Sequence, residues 1–188
     1  MELAHRLERL GTETAFAVAQ AAAAWTAKGN RVYPFHLGDI DIPTAPHIIE
    51  AMNVAIADGK TGYCPGAGIP PLREALAEDI GSRRGTSVDP GNIVVMTGGK
   101  PVITKFLQTV MNPGQEVLYP NPGFPIYESQ IEYLGGTGLP YRYVPTEDGF
   151  AIDLDQVRSL ITPNTVAIIY NDLQNPISAE STAAEREA

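Results

Sequence analysis

The sequence predicts an α/β fold in which helices flank a mostly parallel sheet. From Ile93 onward, short apolar runs alternate with segments of helical periodicity. Continuous apolar runs are typical of strands buried on both faces, and their alternation with helices is typical of a parallel sheet. Turn-forming residues separate the segments, as at Gly98-Gly99 and Gly135-Gly136.

The first half of the chain is predicted to be largely helical. Thr12 or Thr14 is in position to cap a first helix that ends near Gly29. A short extended run over residues 32–37 and a turn-rich loop follow. A second helix is predicted over residues 48–57 with Pro46 in its first turn. A third helix is predicted over residues 71–82, with one face made of Leu72, Ala75, Leu76 and Ile80.

The second half alternates between strand and helix. Strands are predicted over residues 93–97, 116–119, 139–144 and 166–170. Helices are predicted over residues 102–111 and 125–134, and from a cap at Asp153 through residue 160. Residues 178–188 have a helical composition but no strand after them. We therefore expect the chain to be the N-terminal part of a longer α/β protein.

The composition is that of an acidic globular chain. Its 188 residues, 44% of them hydrophobic, are enough to bury a core. The net charge of −9 argues against nucleic acid and anionic membranes as partners, because both require clustered Lys and Arg. The one cysteine, Cys64, excludes an internal disulfide and fits a reducing compartment. Since the N-terminus has no signal-peptide pattern, we expect a cytoplasmic location.

Several familiar motifs are not matched, and no metal site is predicted. Asp39 and Asp41 have no third carboxylate at ligand spacing. The run Gly98-Gly99-Lys100 is not a P-loop, because the first glycine of that motif is missing and Pro101 stands in place of Ser or Thr.

Three polar or glycine-rich segments follow predicted strands, and together they indicate a ligand site. They are Gly98-Gly99-Lys100, residues 120–124 and residues 171–175. In open parallel sheets, ligands bind outside the carboxyl ends of the strands. The glycines suit a phosphate at a helix start, Phe124 can stack on a flat ring, and Asn175 can hydrogen-bond its polar edge. The alternative is structural: packing turns, a core phenylalanine and a helix-start turn at Asn175-Pro176.

Five segments, taken in order, resemble the class I/II aminotransferases of the aspartate aminotransferase type. They are Gly38-Asp39-Ile40-Asp41-Ile42-Pro43-Thr44, the run from Gly62-Tyr63-Cys64-Pro65 through Gly68-Ile69-Pro70-Pro71-Leu72-Arg73-Glu74-Ala75, Thr97-Gly98-Gly99-Lys100, Pro120-Asn121-Pro122-Gly123-Phe124-Pro125-Ile126-Tyr127, and Asn175-Pro176. The family uses pyridoxal 5′-phosphate (PLP) on fold type I. The resemblance implies an N-terminal helix and arm over residues 1–45 and an incomplete large PLP-binding domain over residues 46–188.

The resemblance also implies roles for individual residues. Gly98, Gly99 and Lys100 match the phosphate cradle, Phe124 the aromatic that stacks on the pyridine ring, and Asn175 the partner of the ring hydroxyl. Gly38 lies where a backbone N–H contacts the substrate carboxylate. Tyr63 lies where a tyrosine reaches the cofactor phosphate of a partner subunit, which implies a homodimer.

The implied function is transfer of an amino group from an amino acid to a 2-oxo acid. One departure concerns the usual Asn-Pro-Thr-Gly: here Ile177-Ser178 follows Asn175-Pro176, and we expect a looser turn. The Schiff-base lysine of the family would lie beyond residue 188, so we expect this chain alone to be inactive. The alternative function is a non-catalytic fragment or degenerate homologue that binds a phosphorylated ligand or a partner chain.

Overall fold

The structure, a computed structural model, describes residues 2–11, 14–38 and 40–187. Within these ranges there are seven α-helices, four β-strands and two short 3-10 helices at His5–Arg9 and Pro90–Asn92. The α-helices are α1 (Thr14–Thr26), α2 (Pro46–Ala57), α3 (Pro70–Arg84), α4 (Gly99–Val110), α5 (Ile126–Tyr133), α6 (Leu154–Leu160) and α7 (Ala183–Glu187). The strands are β1 (Glu116–Asn121), β2 (Thr137–Thr146), β3 (Gly149–Ile152) and β4 (Thr165–Ile168).

The chain divides into two compact units. The sheet unit comprises Met1–Val32 with Gly99–Ala188, and the helical unit comprises Tyr33–Gly98. The predicted division into an arm over residues 1–45 and a large domain over residues 46–188 follows a different boundary. The predicted boundary is one between domains of the complete family fold, so this division of the chain stays a prediction.

The sheet unit confirms the α/β prediction. Its strand order is β3-β2-β1-β4, and β1 pairs in parallel with both β2 and β4. Strand β3 was not predicted; it pairs with β2 in antiparallel fashion, with Thr146 opposite Gly149. The sheet is therefore mostly parallel, and the carboxyl ends of β1 and β4 lie at the same edge, here called the carboxyl edge.

Two helices and one strand build the core of the sheet unit. Its buried side chains are Leu107 and Met111 of α4, Val117 and Tyr119 of β1, and Tyr127 and Ile131 of α5. Residues 117–120 of β1 alternate between two buried faces, which explains why the sequence there is a continuous apolar run. Burial of apolar side chains on β1 thus fixes α4 and α5 against the sheet.

A buried tyrosine ties the segment after β4 to the rest of the sheet. Tyr141 of β2 is fully buried, and its hydroxyl donates a hydrogen bond of 2.9 Å to the carbonyl of Ile169. Burial raises the pKa of this hydroxyl well above its ordinary value. The neutral hydroxyl therefore remains a donor at physiological pH.

The helical unit contains α2 and α3. Helix α2 has Pro46 in its first turn, as predicted. Helix α3 ends at Arg84 and is capped by Gly85, which has φ +63° and donates its N–H to the carbonyl of Gly81. Its buried residues are Ala77 and Gly81, whereas Leu72 is 40% exposed. The helical period was predicted correctly, but the buried stripe is rotated away from Leu72 and Ala75.

Residues 93–97, predicted to be a strand, and residues 32–37, predicted to be an extended run, are not β-strands. The Val95 N–H donates to the carbonyl of Ala67 at 3.0 Å, and the Ile93 carbonyl accepts from the guanidinium of Arg73 at 2.9 Å. An apolar run becomes a β-strand only when a neighbouring strand takes up its backbone groups. In residues 32–37, Phe35 and His36 form a turn. The prediction of a strand over residues 93–97 was therefore wrong, and the extended run predicted over residues 32–37 is interrupted by this turn.

The N-terminal helix is shorter than predicted. Helix α1 ends at Thr26, and the chain leaves it through a turn in which Gly29 has φ +83°. Thr12, one of the two predicted caps, lies outside the described residues. In the part of the chain that the structure describes, no helix is both long enough and apolar enough to cross a membrane.

Candidate functional site

Helix α4 begins at Gly99, within the run that was predicted to cradle a phosphate. Gly98 has φ +87°, a backbone conformation that glycine adopts without strain. Its N–H donates to the carbonyl of Met96 at 3.1 Å, so this amide is engaged within its own unit. Apart from its chain neighbours and the backbone of its own helix, no described residue has an atom within 4 Å of a Cβ built on Gly99. The first residue of α4 is therefore not packed against a side chain.

Lys100 brings the start of α4 together with the loop after β1. Its Nζ lies 6.0 Å from the centroid of the Phe124 ring and 5.6 Å from that of Phe16 on α1. An ammonium group at this distance from an aromatic face is attracted by the ring quadrupole. Two of the predicted site residues, Lys100 and Phe124, are therefore neighbours.

Phe124 is half-buried in a tight loop that follows β1. Its ring meets that of Tyr127 edge-on, with the centroids 5.8 Å apart, and its carbonyl accepts the Tyr127 N–H at 3.0 Å. Gly123 sits so close to the carbonyl of Pro120 that a Cβ there would collide with it. The core thus holds one side of the Phe124 ring, as the structural alternative expected, and the loop geometry depends on a glycine.

Asn175 lies in the loop after β4. It is exposed, and its backbone N–H donates to Oδ1 of Asn171 at 3.0 Å. Next to it, the side-chain Nε2 of Gln174 donates to the carbonyl of Pro122 at 2.6 Å. The loops that carry Phe124 and Asn175 are therefore joined by a hydrogen bond at the carboxyl edge.

The turn after Asn175 has a tight backbone path. Ser178 takes φ +56°, the left-handed conformation that a glycine would adopt without cost. Its N–H donates to the carbonyl of Gln174 at 2.6 Å. The serine thus keeps this path despite its side chain, and the loosening expected from Ile177-Ser178 stays a prediction.

The other predicted site residues belong to the helical unit. The Tyr63 side chain is fully exposed on a loop, and Gly38 is exposed as well. Cys64, beside Tyr63, is a free, exposed thiol. The roles predicted for Gly38, Tyr63 and Gly98 stay predictions.

An acidic cavity of about 310 Å³ adjoins the Phe124 loop on the side of α5. Its lining includes Tyr119, Glu128 and Glu132. Burial, and then a hydrogen bond to Glu128, raises the pKa of the Tyr119 hydroxyl. A cavity with two carboxylates repels an anion, so this cavity does not suit a phosphate group.

Sequence reasoning missed two residues at this edge, Phe16 and Gln174. Phe16 lies more than 80 positions from Lys100 in the sequence, and no local pattern connects them. Gln174 is polar and lies in a loop, a combination that usually indicates exposure. No group of three potential metal ligands occurs among the described residues, which exclude Asp39.

Comparison with known proteins gives consistent results. Residues 31–187 match the family model for Aminotransferase class I and II. The chain is 36% identical over 177 residues to the aspartate/prephenate aminotransferase of Thermus thermophilus, covering 94% of this chain and 46% of that protein. It is 30% identical over 188 residues to the aspartate aminotransferase of Geobacillus stearothermophilus, covering 100% of this chain and 48% of that protein.

Solved aminotransferase structures also match this chain. A single mutant of the Thermus thermophilus aspartate aminotransferase superposes with a TM-score of 0.92 at 34% identity, over 100% of this chain and 49% of that one. An alanine aminotransferase from Pyrococcus furiosus also reaches a TM-score of 0.92, at 26% identity, over 99% of this chain and 48% of that one. The chain spans about half the length of the curated relatives it matches.

Proposed function

This chain belongs to the class I and II aminotransferases, and from that premise we propose that it forms part of an enzyme that transfers an amino group from an amino acid to a 2-oxo acid with PLP. The observation that carries the proposal is the pairing of the Lys100 ammonium with the Phe124 ring, 6.0 Å from its centroid. A cation at a helix start, beside an aromatic face, suits a phosphorylated aromatic ligand.

The residues at the carboxyl edge fit such a cofactor. The first turn of α4 and Lys100 would hold the phosphate, and the Phe124 ring would stack on the pyridine ring. Asn175, exposed on the adjoining loop, would donate to the ring hydroxyl. When bound, PLP supplies a ring that draws electrons away from the substrate α-carbon, which makes its proton easier to remove.

The roles of the helical unit complete the proposal. The Gly38 N–H would bind the substrate carboxylate, and the exposed Tyr63 would reach the cofactor phosphate of a second subunit in a homodimer. An aromatic ring with a polar tip on a Gly- and Pro-rich loop supports that role. The single free cysteine fits a reducing compartment and supports a cytoplasmic location.

We also propose that residues 1–188 alone do not transaminate. Lys100 sits at the phosphate end of the proposed site, so it is not placed to take the α-proton. Incubation with PLP, aspartate and 2-oxoglutarate should yield no glutamate. Turnover by this chain that disappears on Lys100→Ala would show that Lys100 has a catalytic role instead.

The names of the relatives point to amino-acid metabolism, and aspartate is the first donor to test in a complete enzyme. The alternative of a non-catalytic homologue is not favoured, since the relatives reported above are aminotransferases by name.

The binding proposal can be tested with pyridoxine 5′-phosphate. This probe keeps the ring, hydroxyl and phosphate of PLP but has no aldehyde, so it forms no adducts with exposed lysines. Titration into the ¹⁵N-labelled chain, followed by ¹H–¹⁵N spectra, detects even millimolar affinity. We expect the largest shifts at Gly99, Lys100 and Phe124, and much weaker shifts with pyridoxine, which has no phosphate.

Matched variants make the test specific. Lys100→Ala should weaken binding about tenfold, the order of effect of a charge-assisted contact. Lys105→Ala removes an exposed lysine of the same helix whose Nζ contacts Gln108, and it should leave binding unchanged. Shifts that do not depend on the phosphate, or equal losses in both variants, would contradict the proposed site.

A further inference from the structure

Gln174 links the two loops at the carboxyl edge of the sheet. It is 1% exposed, although it is polar and lies in the loop that follows β4. A buried side-chain amide is stable only when its donors and acceptor find partners. Each end of this amide has one, and both partners are backbone groups.

The two ends of the amide reach different segments of the chain. Its Nε2 donates to the carbonyl of Pro122 at 2.6 Å, in the loop after β1. Its Oε1 accepts the N–H of Ile177 at 3.1 Å, in the turn after Asn175. Reversing the amide would set oxygen against the Pro122 carbonyl and NH₂ against the Ile177 N–H, so the partners fix its orientation.

The backbone of the same residue closes the turn. The Gln174 N–H donates to the carbonyl of Ala179 at 2.9 Å, and its carbonyl accepts the N–H of Ser178 at 2.6 Å. Through these bonds, one residue sets the path of residues 174–179 and anchors that path to Pro122. Pro122 is two residues before Phe124, and Gln174 directly precedes Asn175.

We propose that Gln174 is a positioning residue of the cofactor site: its buried amide fixes the Phe124 loop and the Asn175 turn at the spacing that one ring-shaped ligand requires. The inference rests on the proposed function, because Phe124 and Asn175 are ring contacts only there. Gln174 acts through its hydrogen bonds to the backbone of both loops. A ligand that must meet two loops binds more tightly when their separation is fixed before it arrives.

Two substitutions test the two hydrogen bonds of the Gln174 amide. Gln174→Met keeps the length of the side chain but removes both hydrogen bonds. Gln174→Glu keeps an acceptor for the Ile177 N–H but turns a carboxylate oxygen toward the Pro122 carbonyl, which separates the loops. The matched control is Gln115→Met. The Gln115 Oε1 accepts the Asn112 N–H at 2.7 Å, just before β1 and hence at the opposite edge of the sheet.

The measurement is the dissociation constant of pyridoxine 5′-phosphate, taken from the ¹H–¹⁵N titration, together with the melting temperature of each variant. Both Gln174 variants should bind about tenfold more weakly, the effect expected from losing two hydrogen bonds or from facing the Pro122 carbonyl oxygen with a second acceptor oxygen. Gln115→Met should lower the melting temperature and leave the dissociation constant unchanged. If Gln174 had only a structural role, affinity for the probe would fall together with the melting temperature in all three variants, Gln115→Met included.

A measurement on the unsubstituted chain avoids any loss of folding. Saturation with the probe should slow amide hydrogen exchange at Ile177 and Ser178, because a ligand that bridges both loops stabilises the Gln174 hydrogen bonds between them. Unchanged exchange, or Gln174 variants that bind as tightly as the original chain, would overturn the role of Gln174 while the proposed function stands. No phosphate-dependent binding by the original chain would overturn both.

Discussion

The sheet unit and the helical unit bury their apolar side chains to very different extents. In the sheet unit, Val117, Leu118, Ile131 and Tyr141 are 0% exposed. In the helical unit, α2 has no buried residue, and its large apolar side chains are 43–56% exposed. Regular secondary structure is thus no measure of local stability, since an isolated twelve-residue helix is marginal in water.

The largest expected effect tests this difference with one substitution in each unit. Ile131→Ala removes a fully buried side chain from the core of the sheet unit and should destabilise it by about 3 kcal/mol. Ile49→Ala on α2 removes a side chain that is 43% exposed, and alanine favours the helix, so the change should stay below about 0.5 kcal/mol. Urea unfolding monitored by circular dichroism measures both, and equal losses would refute the comparison.

A second prediction concerns the buried hydrogen bond across the sheet. Tyr141→Phe keeps the ring but leaves the Ile169 carbonyl without its 2.9 Å donor. We expect a loss of about 1–2 kcal/mol from an unsatisfied buried acceptor. Tyr63→Phe, on the fully exposed side chain of the helical unit, should leave the unfolding free energy unchanged. A neutral result for Tyr141→Phe would mean that water replaces the hydroxyl.

The elements predicted well from the sequence are those whose causes are local. Asp153 was expected to cap a helix, and its Oδ1 accepts the Gln156 N–H at 3.0 Å at the start of α6. Pro46 begins α2 for a similarly local reason. The apolar run of β1 follows from burial in a parallel sheet.

The elements predicted poorly depend on partners distant in sequence. Residues 93–97 have the composition of a strand, but Ala67 and Arg73 take up their backbone groups. Strand β3 is only four residues long and exists through its pairing with β2. At the site, the resemblance to the family marked Lys100 and Phe124, whereas the buried amide of Gln174 could be found only from the three-dimensional path of two loops.

A third prediction concerns backbone strain at Ser178, in the turn after β4 of the sheet unit. Ser178 has φ +56°, which costs a residue with a side chain about 1 kcal/mol relative to glycine. Ser178→Gly should therefore stabilise the chain by about 1 kcal/mol. Ser82→Gly, inside α3 of the helical unit, should destabilise it by about 0.5 kcal/mol through helix propensity. Opposite signs in urea unfolding are expected, and a loss at both positions would show that Ser178 is not strained.

The smallest expected effect concerns the pH dependence of the same segment of the sheet unit. Oδ1 of Asp172 accepts the N–H of Ser181 at 2.9 Å, and Oδ2 pairs with Arg186 at 3.1 Å. These contacts, the Ser181 bond foremost, lower the pKa of Asp172 below its ordinary value of 3.8.

The sign of the effect follows from this lowered pKa. Because the native state favours the ionised carboxylate, the stabilisation is complete above the ordinary pKa and disappears as the pH falls through the lower native value. Asp172→Asn should therefore lower the free energy of unfolding at pH 6. It should also reduce the further loss of this free energy between pH 4 and pH 2.5. The loss that remains would come from Asp153 and Glu185, whose pKa values are also lowered. Asp155→Asn, which removes an exposed surface pair with Arg158, is the control and should leave both values nearly unchanged. Urea unfolding at each pH gives the comparison, and an acid loss in Asp172→Asn as large as in the original chain would show that this carboxylate does not hold the segment.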